Sequence, residues 1–233
     1  MASTHAPSEA LAYAKTMIKK GRLDDSTVAY QILDEVAKKM WYAAPWSWTV
    51  AAMTTQTLVA STADYTISTP SDFEFIQRAT LVDTGIIKKE LKIESILPSD
   101  SVKTGETLSC NYSGTTFRVY PTPPSTLPST ATQKIIIIYK KTAPEITVSN
   151  YATVDSHKVP DRWWHVYKNG VLSMAYLYAD DDRAMQVKVN PRDKSVELGG
   201  QEAYFQYLLN EMRLKEPMPF EWETRMEASA DNR

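Results

Sequence analysis

The apolar positions of the first twenty residues are spaced as in an amphipathic helix. Pro7 stands at a favourable first helical position, and Gly21 follows the last apolar residues as a stop signal. Lys19 and Lys20 belong to the predicted last turn, where positive charge offsets the helix dipole. The pattern therefore predicts a first helix that starts at the proline and stops at the glycine.

A second helix is predicted directly after the first. Apolar pairs recur every four residues from Val28 to Trp41, which places one apolar stripe on one helix face. We expect this helix to start at Asp24 or Asp25. It should end just before Pro45, because a proline disfavours helical backbone in the residue that precedes it.

The middle of the chain changes to the alternating pattern of strands. Extended segments broken by turns are predicted at residues 49–59, 65–67, 75–82, 86–96, 116–120 and 133–139. Asp83-Thr84-Gly85 is a hairpin signal, and the four isoleucines at 135–138 indicate a central strand covered on both faces. The rest of residues 99–132 is rich in serine, threonine and proline and is predicted to be loop. Such short strands favour an antiparallel sandwich or partial barrel.

Helical patterns return at Pro160. Apolar side chains fall on nearly every face of residues 161–180, which predicts the most buried helix of the molecule. Residues 181–189 are expected to extend this helix, and a further helix is predicted over residues 200–215. The helices at the two ends of the chain should pack together as one bundle.

The predicted fold class is α+β with three parts. Residues 1–47 and 158–215 form a helical bundle, residues 48–157 form an inserted β-rich domain, and residues 216–233 form an extended C-terminal arm. Five tryptophans are expected to fill the joint between the two domains: Trp41, Trp46, Trp48, Trp163 and Trp164. The alternative for the first three is a stacking platform for single-stranded bases or sugars, although such platforms usually carry interleaved basic side chains.

The C-terminal arm is predicted to bind outside its own domain. Pro217 and Pro219 prevent a helix from continuing and favour an extended backbone. An extended segment cannot bury Phe220 and Trp222 against itself. These four residues are therefore candidate anchors for a neighbouring subunit or another protein. The alternative is a tail that folds back on its own helices.

Composition narrows the function classes. Of 233 residues, 26 are basic and 28 are acidic, so the net charge of −2 argues against a protein that neutralises many phosphates of nucleic acid. The single cysteine, Cys110, excludes an intramolecular disulfide framework and a multi-cysteine zinc site. The apolar runs are too short to span a bilayer, and no secretory signal is visible. We expect a soluble protein made in a reducing compartment.

Residues with catalytic or metal-binding chemistry are sparse. His157, Asp161 and His165 are four residues apart. Pro160 interrupts that span, however, and separates them from a common helical face. The aspartates at 180–182 point in different directions on a helix, and no base is near the cysteine in sequence. With 7 glycines and no phosphate-binding motif, we expect no catalytic residue, no cofactor and no metal, and hence no enzyme.

Several short patterns follow one another in a set order. After the two helices come Trp46-Ser47-Trp48, Tyr65 with Pro70 and Asp72, Phe117-Arg118-Val119-Tyr120 running into prolines, Tyr139-Lys140-Lys141, and Val159-Pro160-Asp161. This order, over roughly residues 8–190, resembles that of tailed-phage head-to-tail connector adaptor proteins. A glycine-x-proline segment expected before residue 116 is missing, and the tail beyond residue 215 is longer than the family pattern.

The resemblance implies a structural role. Members of that family form a ring, commonly of about twelve copies, beneath the portal of a DNA-filled capsid. It implies a homo-oligomer that binds the portal and tail or nozzle proteins, and double-stranded DNA that passes through without sequence-specific binding. The implied location is the virion, after assembly in the host cytoplasm, without membrane contact. The alternative function is a carbohydrate- or receptor-binding β-sandwich module of a virion.

Overall fold

The computed structural model describes residues 3–18, 23, 26–53, 55–95, 103–126, 133–179, 182–189 and 196–216. The chain divides into two compact units. The helical unit comprises Met1–Trp48 and Ala143–Arg233, and the sheet unit comprises Thr49–Thr142. The predicted α+β class, with helices at both ends of the chain, is confirmed.

Residues 143–157, which the sequence groups with the β-rich part, lie in the helical unit. The backbone N–H of Ile146 donates to Oδ1 of Asp34 at 2.9 Å. The backbone N–H of Ser8 donates to the carbonyl of Tyr151 at 3.0 Å. These bonds join the segment to residues more than a hundred positions away, and no local pattern could have indicated them.

In the described part of the sheet unit, eight strands form one curled sheet, an open half-barrel. They are β1 (Val50–Ala52), β2 (Gln56–Thr57), β3 (Asp64–Thr66), β4 (Phe73–Asp83), β5 (Ile86–Ile93), β6 (Ser109–Ser113), β7 (Thr116–Tyr120) and β8 (Lys134–Lys141). Their order is β1-β8-β4-β5-β6-β7-β3, and β2 also pairs with β8. Among the described strands, β5 and β6 are the parallel pair, with Lys92 opposite Ser109 and Ile93 opposite Cys110. The partial-barrel alternative of the prediction therefore describes this sheet better than the sandwich.

One face of the sheet carries the core of this unit. In β8, Ile135 and Ile137 are fully buried, whereas Ile136 is 37% exposed. The prediction that this strand is covered on both faces is wrong, because its alternating side chains place only every second isoleucine in the core. The same core also contains Met53, Leu58, Tyr65, Ile67, Ile76, Ala79, Leu81, Leu91, Cys110, Phe117, Val119 and Tyr139.

Two strands form where the sequence predicts other structure. β6 lies inside the predicted loop of residues 99–132, and its polar composition gives little strand propensity. A tight turn at Gly114, whose φ is 63°, brings it into register with β7. The predicted helical extension over residues 181–189 is also wrong, because Gln186–Val189 (β9) pairs with Val196–Gly199 (β10). There the alternation Gln-Val-Lys-Val follows the period of a strand.

Among the described residues, four α-helices belong to the helical unit. They are α1 (Pro7–Met17), α2 (Ser26–Ala43), α3 (Trp164–Tyr178) and α4 (Gly200–Lys215). α3 contacts each of the other three, so the predicted bundle from both ends of the chain is confirmed. α2 ends at Ala43, as the following proline predicts. The predicted stop of α1 at residues 19–21 and the predicted start of α2 at residues 24–25 lie outside the described residues.

The close packing of α3 depends on a glycine in its middle. A Cβ atom added at Gly170 would lie 2.6 Å from Cγ1 of Val36 and 2.7 Å from Cε2 of Phe205. Both neighbours belong to fully buried side chains of α2 and α4. The glycine therefore lets three helices approach where any other residue would hold them apart.

We predict that Gly170→Ala lowers the free energy of unfolding by about 1–3 kcal/mol, because overpacking costs more than the helix propensity that alanine gains. Urea denaturation followed by circular dichroism measures this change. His165→Ala, at an exposed position of the same helix, is the control and should change stability by less than about 0.5 kcal/mol. A stabilised Gly170→Ala variant would contradict the packing described.

Candidate functional site

The candidate interface begins at the last described residue of the chain. Pro217, Pro219, Phe220 and Trp222, predicted as interface anchors, lie outside the described residues. Glu216, which the sequence assigns to the extended arm, is only 3% exposed and belongs to the helical unit. The prediction that residue 216 already belongs to an arm outside the helical unit is therefore wrong, and the prediction for residues 217–233 lies outside the described residues.

The side chain of Glu216 is held by three donors. Its Oε1 accepts hydrogen bonds from Oγ of Ser47 at 2.8 Å and from the guanidinium of Arg162. Its Oε2 accepts a hydrogen bond from Nε1 of Trp163 at 2.7 Å. The carboxylate thus ties the end of α4 to the segment after α2 and to the single helical turn before α3.

The backbone of Glu216 also changes direction at this point. Its N–H still donates to the carbonyl of Met212 at 2.9 Å, which closes the last turn of α4. Its φ of −81° and ψ of 126° are those of an extended chain, as expected for a residue that precedes proline. Glu216 therefore ends α4 with an extended backbone at a position fixed by its own hydrogen bonds.

We predict that Glu216→Ala lowers the free energy of unfolding by about 1–3 kcal/mol, because the buried indole N–H of Trp163 loses its acceptor. Chemical denaturation measures the loss. Glu211→Ala is the matched control in α4, since Glu211 pairs with Lys215 at the surface, and it should cost less than about 0.5 kcal/mol. Equal losses in the two variants would show that the three-donor site adds nothing to stability.

The five tryptophans predicted for the domain joint all belong to the helical unit. Trp41, Trp46 and Trp163 are buried, and Trp48 and Trp164 are partly buried. The ring centroids of Trp41 and Trp48 are 5.2 Å apart in an edge-on arrangement, and those of Trp46 and Trp48 are 6.4 Å apart with parallel planes. The indoles pack on one another, so they do not form the exposed stacking platform that was the alternative.

Trp46 also completes the end of α2. Its Nε1 donates to the carbonyl of Met40, one of the last four carbonyls of the helix that have no intrahelical donor. The guanidinium of Arg213 donates to a second of these, the carbonyl of Ala43, at 2.7 Å. The tryptophan therefore acts as a cap for the helix as well as a core side chain.

The first described residues of the chain are bound tightly to the loop before α3. Ser3 Oγ and the Thr4 N–H both donate to Oδ1 of Asp161, at 2.7 and 2.8 Å. The Ser3 N–H donates to Oδ1 of Asp155 at 2.8 Å. The ring of His5 stacks on that of Trp164 at 4.6 Å. Asp161, considered above as a metal ligand, thus serves to hold the N-terminal segment, and these bonds lower its pKa.

His157 is a buried structural histidine. Its Nδ1 accepts a hydrogen bond from the Val159 N–H at 2.9 Å, so the proton is on Nε2, which lies 3.1 Å from the carbonyl of His5. The ring packs against both Trp164 and Tyr167, with centroids 5.1 and 5.0 Å away. Burial lowers the pKa of His157 to about 4. Both ring nitrogens are used in hydrogen bonds, and the side chain remains neutral at physiological pH.

The other residues considered for catalysis or metal binding are not gathered into one site in the described residues. His165 is exposed on α3. Cys110 is buried in the sheet core, and burial raises the pKa of its thiol to about 12. Asp182 is exposed, and the two aspartates before it lie outside the described residues. Within the described part of the chain, histidine, cysteine and carboxylate side chains form no cluster suited to a metal ion.

Two exposed apolar surfaces were not predicted. On α4, Tyr204, Tyr207 and Leu214 are 47%, 59% and 86% exposed, opposite a buried face that includes Phe205. The spacing of three and seven residues in the sequence could have indicated this second stripe. In the sheet unit, Ile86 and Ile87 at the tip of the β4–β5 hairpin are 65% and 68% exposed. Large exposed side chains grouped in this way are typical of interaction surfaces.

Comparison with known proteins shows that the chain matches the model of a protein family. The model of a family described as SU10 adaptor protein matches residues 9–217, which cover both units. No curated protein matches the chain. Among the described helices, none combines the length and apolar character that crossing a membrane requires.

Proposed function

The chain belongs to the SU10 adaptor protein family, a family of phage head-tail adaptors, and on this premise we propose that it forms a ring between the portal and the tail of a tailed bacteriophage. The ring contains about twelve copies. It extends the DNA channel and presents a docking surface to tail proteins. The observation that carries the proposal is the family match over residues 9–217.

The exposed apolar surfaces of both units support assembly. Tyr204 and Tyr207 stack on each other at 6.4 Å on the outer face of α4. Tyrosine supplies large contact areas at interfaces with little loss of side-chain entropy. A ring subunit needs two different surfaces that face its two neighbours. The α4 surface and the tip of the β4–β5 hairpin are candidates for these two surfaces.

The charge of the chain suits a channel for passing DNA. A net charge of −2 leaves no surplus of basic residues to hold phosphates. A channel that neutralised many phosphates would retain the DNA that it has to release. The proposed contact with DNA is therefore weak and independent of base sequence.

We propose that the role is structural and involves no catalysis. The thiol of Cys110 stays protonated at neutral pH because its pKa is about 12. His157 uses both ring nitrogens within the fold. Asp161 and Glu216 accept hydrogen bonds that fix the ends of the helical unit. These titratable groups are therefore engaged in holding the fold together.

Electron microscopy and sedimentation velocity of the full-length protein, alone and with a purified portal ring, test the proposal. We expect closed rings that bind the portal coaxially. A variant that lacks residues 217–233 should keep the fold of the monomer but form rings or bind the portal more weakly. Glycan-array binding by a protein that stays monomeric or trimeric would instead favour the receptor-binding alternative, which the burial of Trp41 and Trp46 disfavours.

A further inference from the structure

The sheet unit has a groove at the tip of its longest hairpin. This hairpin groove, about 260 Å³ in volume, is lined by Thr55, Val82, Thr84, Gly85, Lys134 and Ile136. Enzyme ligand pockets usually measure about 300–1,000 Å³. The groove is smaller than these pockets, and its volume is enough for one large side chain.

The groove combines apolar walls with one positive charge. Val82 of β4 pairs with Lys134 of β8 and with Ile87 of β5, so the three side chains lie in a row on one face of the sheet. Ile136 lies two residues along β8 on the same face. Lys134 is exposed and has no ion-pair partner among the described residues. An apolar side chain flanked by negative charge would complement this surface.

We propose that the hairpin groove binds the C-terminal segment of a neighbouring copy of this chain, with Trp222 in the groove and a flanking glutamate on Lys134. The segment contains Phe220-Glu221-Trp222-Glu223, in which aromatic and acidic residues alternate. It starts directly after Glu216, which is fixed in the helical unit. A chain advances at most about 3.6 Å per residue, so Trp222 can reach about 20 Å from that point.

This inference rests on the proposed ring, because it assigns one of the contacts between adjacent subunits. The α4 surface is the competing receptor for the same segment. The lysine of its last turn, Lys215, already pairs with Glu211 at 2.6 Å, so among the described residues of α4 no lysine is left to bind a glutamate. Charge complementarity therefore favours the hairpin groove.

Photo-crosslinking in the full-length protein tests the assignment. A benzophenone amino acid replaces Trp222, and chains grown with ¹⁴N and with ¹⁵N are mixed before assembly and irradiated. We expect crosslinks to Val82, Ile87 or Ile136 in peptide pairs of mixed isotope, which shows that two copies are joined. Crosslinks to α4, or pairs of a single isotope only, would overturn the proposal.

A charge exchange gives the second test, with self-association measured by sedimentation. Lys134→Glu should weaken self-association about three- to tenfold. Adding Glu221→Lys and Glu223→Lys to this variant should restore the affinity. Lys88→Glu, the same charge change on the same hairpin outside the groove, should have no effect. If the protein forms rings but Trp222 crosslinks elsewhere, only the assignment of the hairpin groove is refuted. If Trp222 crosslinks to the groove in open oligomers, only the proposed ring is refuted. A strictly monomeric protein refutes both.

Discussion

Replacing Trp46 by alanine is expected to lower the free energy of unfolding by about 3–5 kcal/mol, the largest effect of any single substitution considered for this chain. The indole is fully buried in the helical unit. Its removal leaves a cavity and also takes the Nε1 donor from the carbonyl of Met40 at the end of α2. Both losses act on the same helix. Thermal and urea denaturation of the purified variant measure the change.

Two further variants separate the contributions to this loss. Trp46→Phe keeps most of the volume and removes the donor, so it should cost about 1 kcal/mol for the hydrogen bond, besides a smaller packing loss. Trp164→Ala, at a partly buried position, removes the stack on His5 and should cost less than Trp46→Ala. A greater loss in Trp164→Ala than in Trp46→Ala would contradict the burial described here.

Acid is expected to destabilise the helical unit between about pH 6.5 and pH 4, through His157. The pKa of this group is lowered from 6.5 to about 4 by burial, so the folded chain binds fewer protons than the unfolded chain in this window. Stability therefore falls as the pH falls, and the group has no effect above pH 6.5. The full loss is about 3 kcal/mol below pH 4. Urea denaturation at a series of pH values measures it.

The geometry explains why this histidine resists protonation. A proton on Nδ1 would face the N–H of Val159, which now donates to that atom. Asp155 and Asp161 favour the charged ring, but the effect of burial is larger. Hydrogen bonds lower the pKa values of Glu9 and Asp161, so these carboxylates stay ionised through most of the window.

The neutral variant His157→Gln is the control for the acid effect. Glutamine carries a donor and an acceptor but does not titrate in this range. The variant should be less stable than the parent at pH 7, yet its stability should change much less between pH 6.5 and pH 4. An unchanged pH slope would assign the acid effect to other groups.

Local patterns were sufficient for most of the helices. The stripe of α2 predicted this helix, and Pro45 predicted that it ends just before the proline, as it does at Ala43. The hairpin signal at Asp83-Thr84-Gly85 was also sufficient, because Thr84 and Gly85 adopt the positive φ angles of 51° and 80° that such a turn requires. In each case the information lies within a few residues of the feature.

Features that depend on distant partners were not predictable in this way. The donors to Glu216 are separated from it by 169, 54 and 53 residues. The parallel pairing of β5 and β6 is likewise a property of the whole sheet order. The candidate interface was predictable only in part. Local proline and aromatic residues predicted the arm, whereas the anchoring of Glu216 depends on the distant residues Ser47, Arg162 and Trp163.

The division of the helical unit between the two ends of the chain sets an order of events on the ribosome. α2 emerges early, but Ile32, Val36 and Met40 find their partners only when α3 and α4 have been made. The sheet unit lies between them and has a separate core, so it can fold first. The tip of the β4–β5 hairpin is then exposed before α4 of the same chain has been synthesised. In the proposed ring, incomplete chains would therefore be poor subunits, because α4 is complete only when synthesis has passed residue 215.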